Sequence, residues 1–172
     1  MSAPAKNFGL SRRAVLKGGA LTVGFALAGA RTKAVAQLPG AQRVLDPKEL
    51  DAFLAVNANG SVTVFCGKVD LGQGLRIAMR QIVAEELDVG VDKINYIEGD
   101  TALTPDQGRS SASNGIQRGG MQLRQAAATA RQALVDLAAQ KLNVKAEDLM
   151  VANGMVSPRS GGNGVTFASL VA

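Results

Sequence analysis

The spacing of apolar positions switches between two and three-to-four along this chain, and each switch marks an element. Ser61-Val62-Thr63-Val64-Phe65-Cys66 alternates, which predicts a half-buried strand over 61–66. Residues 52–56 read as its partner, because the intervening Asn57-Ala58-Asn59-Gly60 ends in the hairpin dipeptide Asn-Gly. Ala78, Met79, Ile82, Val83 and Leu87 then recur at helical spacing. They predict a helix over 75–87, with Glu85, Glu86 and Asp88 at its exit and Gly90 as its stop. Alternation returns at 93–98. Leu123, Ala127, Ala130, Leu134, Leu137 and Ala138 mark the buried side of a longer helix over 121–142, whose many alanines favour helix and close packing. Residues 145–148 read as a turn. Leu149-Met150-Val151 and Met155-Val156 flank Asn153-Gly154 as a second hairpin, and Thr166 to Leu170 opens a further element. This order predicts an α+β fold, a small mixed sheet with two main helices.

Two polar stretches interrupt the pattern. The first, Gly67-Lys68-Val69-Asp70-Leu71-Gly72-Gln73-Gly74, follows the alternating strand directly. Its glycines permit a bend free of bulk, and Gln73 carries an uncharged amide with both donor and acceptor. The residues fit either a hydrogen-bonding probe facing a ligand or a plain turn. The second stretch, 99–119, is too long for a simple connection. Thr104-Pro105-Asp106-Gln107-Gly108 reads as a turn with proline at its second place. Arg109-Ser110-Ser111-Ala112-Ser113-Asn114-Gly115 offers hydroxyls and an amide, and Gly119-Gly120 reads as the opening of the long helix. Amides at a helix start beside serine hydroxyls suit phosphate oxygens. A solvated loop whose serines cap the helix fits these residues equally well.

The amino terminus has a different layout. Ser11-Arg12-Arg13-Ala14-Val15-Leu16-Lys17 is a twin-arginine pattern, followed by an apolar run from Gly18 to Ala30 and the small-x-small site Ala34-Val35-Ala36. This predicts an export signal over 1–36 and a linker over 37–50. The apolar run is shorter than the roughly 20 residues a membrane span needs, so no stable membrane span is expected. Six of the nineteen basic residues and none of the fourteen acidic ones lie in 1–36. The formal charge of +5 therefore becomes −1 for 37–172, and the basic balance gives no support for nucleic-acid binding. The chain has no histidine, so Ser-His-Asp catalysis and His-ligated zinc are excluded. Its single cysteine, Cys66, excludes an internal disulfide and a thiolate-held iron–sulfur cluster, and its apolar setting predicts packing.

The motifs and their order together resemble the molybdenum-cofactor-binding subunit of the xanthine dehydrogenase and aldehyde oxidase family, in its isoquinoline 1-oxidoreductase beta-like exported branch. The residues carrying the resemblance are the 67–74 loop, Gln81-Ile82-Val83-Ala84-Glu85-Glu86-Leu87, Gly99-Asp100-Thr101, Thr104-Pro105-Asp106-Gln107-Gly108, Ser111-Ala112-Ser113-Asn114-Gly115-Ile116 and Gly119-Gly120. The match runs over roughly 51–170, so 51–172 is expected to be the amino-terminal part of a molybdopterin-binding domain.

The resemblance implies a molybdopterin cytosine dinucleotide cofactor. It implies that Gln73 hydrogen-bonds a molybdenum ligand, with Gly72 and Gly74 allowing close approach. Gly108, Ser110, Ser111 and Ser113 would contribute to the cofactor or substrate wall. Arg109-Ser110 departs from the family's usual aromatic or small residue followed by threonine. The implied reaction oxidises aldehydes or N-heterocycles with oxygen drawn from water. Electrons would leave through [2Fe-2S] clusters on a small partner subunit, with a cytochrome c as a candidate acceptor. The implied location is the periplasm, reached by the twin-arginine route. The family's base is a glutamate in a Gly-Val-Gly-Glu motif that this sequence lacks. Glu85, Glu86 and Glu98 are not placed to replace it. No catalytic residue or metal ligand is therefore assigned here. The chain is expected to be inactive alone and to work with the remainder of a large subunit. The alternatives are a non-catalytic exported binding module and a truncated, defective fragment.

Overall fold

The computed structural model describes residues 20–21 and 53–172. The predicted export signal, apart from Ala20 and Leu21, and the predicted linker lie outside the described residues. A four-stranded sheet has the order β1 (Ala20–Leu21), β2 (Leu54–Asn57), β3 (Val62–Cys66), β4 (Ile94–Glu98). The first three strands are antiparallel. The predicted Asn-Gly hairpin joins β2 to β3, pairing Leu54 with Val64 and Val56 with Val62. Gly60 donates its N–H to Asn57 O at 2.8 Å and takes φ 80°, closing a turn followed by a left-handed residue.

β4 lies parallel to β3, from Val62 opposite Ile94 to Cys66 opposite Glu98. A parallel neighbour needs a crossover, and the chain supplies one through the 67–74 loop and helix α1 (Leu75–Leu87). Alternating apolar residues alone do not distinguish parallel from antiparallel pairing. Residue 88, rather than the predicted Gly90, ends α1. Asp88 adopts left-handed φ 52°, and its N–H reaches Ala84 O and Glu85 O. Gly90 is extended, at φ −62° and ψ 141°. The short polar side chain of aspartate makes the left-handed state accessible without glycine.

Helix α2 (Met121–Leu142) packs on α1 and is entered through a π-helical turn, Gly115–Gly120. Gly119 and Gly120 are buried at the end of that turn, directly before Met121, where the long helix opens as predicted. Cβ-free positions there admit Met79, Ile82 and Lys68 from below. One core joins Val56, Val62 and Val64 of the sheet to Met79, Val83 and Leu87 of α1 and to Leu123, Ala127, Ala130 and Leu134 of α2. Ala126 and Ala133 are also buried, and Leu137 is only half-buried. Small residues along one helix face bring the two helices close.

The chain from Leu149 onward forms a second sheet, β5 (Leu149–Ala152), β6 (Met155–Pro158) and β7 (Val165–Thr166), before the short helix α3 (Phe167–Val171). Asn153 and Gly154 both take positive φ, 51° and 72°, as the predicted two-residue hairpin requires. The hairpin docks on the exit of α1, where Gly154 N donates to Asp88 O at 2.8 Å. The mixed sheet and the two main helices bear out the α+β expectation, with the later strands forming a sheet of their own.

Candidate functional site

The candidate site lies where β3 hands over to α1. Asp70 shapes the loop. Its Oδ1 accepts the N–H groups of Gly72 (2.9 Å) and Gly74 (3.2 Å), and its Oδ2 accepts that of Arg76 (3.0 Å). These donations hold the Asp70 carboxyl below its ordinary range, that from Arg76 most strongly. Asp70 thus satisfies amides at the helix start that would otherwise face an anion. Gly72 and Gly74 bend the loop at φ 103° and 78°, and beyond each the space is open. Gln73 is exposed and folds back on its own loop, accepting Leu71 N–H at 2.7 Å through Oε1. Its Nε2 lies 3.4 Å from Val69 O.

The second polar stretch crosses beside this loop. The chain turns first at 100–104 and bends again within the predicted 104–108, where Asp106 Oδ1 accepts Gly108 N–H at 2.8 Å and Gly108 takes φ 69°. Asp100 Oδ1 accepts Ala102 and Leu103 N–H, and Asp100 O accepts Thr104 N–H. An aspartate that captures its own following amides makes the first of these turns, one step earlier than the proline. Residues 105–109 then run past Gly67, where an added Cβ would come within 2.1 Å of Pro105 O. Gln107 ties the crossing together. Its Oε1 accepts Gly67 N–H (2.8 Å) and the Cys66 thiol (3.1 Å), while its Nε2 donates to Gln122 Oε1 (2.9 Å) at the start of α2. Ser110 Oγ accepts Val69 N–H at 3.0 Å. Lys68, only 1% exposed, sends Nζ to the carbonyls of Gly108 (3.1 Å) and Arg109 (2.8 Å).

These contacts leave an open cleft of about 410 Å³ between the loops. Leu71, Gln73, Gly74, Leu75 and Ala78 line one side, and residues 110–116 the other. Of the residues singled out in the sequence, Gln73, Gly74, Ser110, Ser111 and Ser113 share this cleft. Gly72 and Gly108 flank it in the chain and bend the backbone that forms it. Ala112 and Ser113 are both left-handed, at φ 49° and 58°. Among the described residues the amides of Arg109, Ser110, Ala112 and Ser113 and the guanidinium of Arg109 have no hydrogen-bond partner. No carboxylate lines the cleft. An uncharged amide, three serine hydroxyls and free backbone N–H groups are a donor set suited to an oxygen-rich anion.

The nearby carboxylates are already committed. Glu98 pairs with Arg76 and accepts Asp70 N–H at 3.3 Å, and Glu86 pairs with Arg124 at 3.1 Å. Burial pushes up both the Cys66 thiol and the Tyr96 phenol. Both are therefore neutral near pH 7. Lys68 and Gln107 join the loops that make the cleft, and neither is among the candidate residues drawn from the sequence. A signal for Lys68 was present. The alternation of 61–66 extends two residues further and places 68 on the inward face.

The pattern of the molybdopterin cofactor-binding domain matches residues 9–172. One subunit of the nicotinate dehydrogenase of Pseudomonas putida is 42% identical over 132 residues, covering 77% of this chain and 11% of that protein. The beta subunit of isoquinoline 1-oxidoreductase from Brevundimonas diminuta is 31% identical, with 71% of this chain and 16% of that protein covered. The fold is similar to that of CO dehydrogenase from Oligotropha carboxidovorans, with TM-score 0.63 and 25% identity over 68% of this chain and 15% of that one. The chain thus spans about a tenth to a sixth of the length of these relatives. Sequence and fold together make it a member of the molybdopterin cofactor-binding domain family, as found in molybdopterin-binding subunits of the xanthine dehydrogenase family.

Proposed function

We propose that this chain forms part of the molybdopterin pocket of a hydroxylase that oxidises N-heterocycles or aldehydes with oxygen taken from water. The observation that carries this reading is the cleft itself. Its lining is rich in donors and free of carboxylates, and it brings Gln73 opposite 110–116. That donor set would fit the phosphate oxygens such a cofactor carries. Gln73 would present its amide to the metal end, Gly72 and Gly74 would keep the approach open, and Ser110, Ser111 and Ser113 with the bend at Gly108 would hold the polar edge. When bound, the cofactor supplies the two-electron redox chemistry. The chain's own residues bind, orient and keep charge away from that centre.

Two relatives named for nicotinate and isoquinoline favour an N-heterocyclic substrate. The cytosine dinucleotide form, a [2Fe-2S] partner subunit and a cytochrome c acceptor belong to the same proposal. The relatives' names as subunits favour a multi-subunit assembly. The committed states of Glu98 and Glu86 support a base supplied from outside the described residues, so the chain alone would not turn over substrate. The twin-arginine pattern at Arg12 and Arg13 supports periplasmic export of a protein loaded before transport.

Gln73→Ala in the assembled enzyme tests the reading. Loss of one preorganised donor at a reacting centre costs about 10²–10³ in turnover. Turnover should fall by that order, with the fold retained. Unchanged turnover together with unchanged molybdenum content would remove Gln73 from the site.

A further inference from the structure

We propose that Lys68 is a positioning residue that turns the 108–110 backbone outward, so that the amides of Ser110, which lines the cleft, and of its neighbour Arg109 form an oxyanion-binding edge. Lys68 is the charged side chain that is wholly buried among the described residues. Its stem runs against the π-helical turn, where a Cβ on Gly119 would come within 2.8 Å of Lys68 Cγ. Its Nζ then grips two successive carbonyls, Gly108 O and Arg109 O, at 3.1 and 2.8 Å.

Peptide geometry gives the consequence. Among the described residues no peptide bond is cis. In a trans peptide the C=O of one residue and the N–H of the next point in opposite directions. Holding Gly108 O inward therefore turns Arg109 N–H outward, and holding Arg109 O inward does the same for Ser110 N–H. Neither N–H has a partner among the described residues. A buried ammonium behind two peptide dipoles also strengthens them as donors. Paired amides backed by positive charge select an oxyanion. Within the cofactor pocket proposed above, that anion would be either a phosphate of the dinucleotide or the oxygen shell of the metal.

The full chain, titrated with inorganic pyrophosphate and separately with molybdate while backbone amide resonances are followed, tests this. At least one of the two anions should shift the Arg109 and Ser110 amides. Pyrophosphate alone assigns the edge to phosphate, and molybdate alone assigns it to the metal's oxygens. Lys68→Met keeps the length of the stem and removes the ammonium. It should weaken the anion by about tenfold or more, with the resonances of β3 and α2 retained. No shift with either anion in the wild type, or equal affinity in Lys68→Met, overturns the inference. Should Lys68→Met fail to fold, hydrogen exchange in the wild type decides. Fast exchange at Arg109 and Ser110 is expected, and protection there overturns the inference. Molybdenum and cytidine nucleotide content of the assembled enzyme separates the two levels. Full content in the Lys68→Met assembly sinks this inference and leaves the cofactor reading standing. A wild-type assembly without molybdenum sinks the cofactor reading.

Discussion

Replacing Gln107 with leucine isolates the contact that holds the two loops together. The side chain is similar in size, so the change removes hydrogen bonds more than volume. Four bonds are lost: the acceptor for Gly67 N–H, the acceptor for the Cys66 thiol, the donor to Gln122 and the long 3.5 Å donation to Gly119 O. The costs are unequal. Gly67 N–H is half-buried between β3 and the crossing segment, and a stranded buried donor costs about 1–3 kcal/mol. The thiol is a weak donor. Gln122 is half-buried and can turn toward water, so its share is below about 1 kcal/mol. The expected loss is therefore about 1–4 kcal/mol, dominated by one amide. Urea unfolding followed by circular dichroism measures it, as a lowered midpoint at unchanged slope. The lone cysteine supplies a local reporter, since a thiol reagent reaches Cys66 only when the crossing opens. Its modification should accelerate in Gln107→Leu. A stability change under about 0.5 kcal/mol, the usual range for surface substitutions, with unaltered thiol protection, would refute this view of the crossing.

Other outcomes follow from single groups. The Asp70 carboxyl titrates below its ordinary value of 3.8, so its bonds to the loop amides are intact above that pH and are lost as pH falls through the lower folded value. Hydrogen exchange at Gly72, Gly74 and Arg76 should rise below pH 3.8, and in Asp70→Asn it should be raised already at neutral pH. Burial raises the Cys66 thiol above its ordinary 9.0, so the stability it lends is complete below that pH and is lost as pH climbs through the higher folded value. Alkylation at pH 9 should remain far slower than for a free thiol, and a rate matching the free thiol would contradict the burial. Exchanging Arg12 and Arg13 for lysine should leave the protein in the cytoplasm, read by cell fractionation. Normal periplasmic yield would remove the twin-arginine route.

Much of this fold was legible in the sequence because the relevant signals are local. Asn59-Gly60 and Asn153-Gly154 marked both hairpins, and the spacing of Met79, Val83 and Leu87 marked the core face of α1. The parallel pairing of β3 with β4 was not legible, since apolar alternation reads the same in either direction. Gly119-Gly120 marked the opening of α2, because glycine punctuates chains. Burial shows the other use of glycine, letting the Lys68 stem and Met79 pass close to the backbone. The site was half legible. Gln73 and the 110–113 serines, singled out in the sequence, line one cleft. Lys68 and Gln107, which build that cleft, went unmarked because long polar side chains are ordinarily exposed.

The cleft is the centre of the account, and a side chain that fills it is the most direct test. Ser111 is exposed on its wall, so Ser111→Trp should leave the fold intact and occupy the space opposite Gln73. Molybdenum analysis of the assembled enzyme, with circular dichroism to verify folding, gives the answer. The account predicts a folded protein with its molybdenum content lost or sharply reduced. A folded Ser111→Trp assembly carrying its full complement of molybdenum would contradict it.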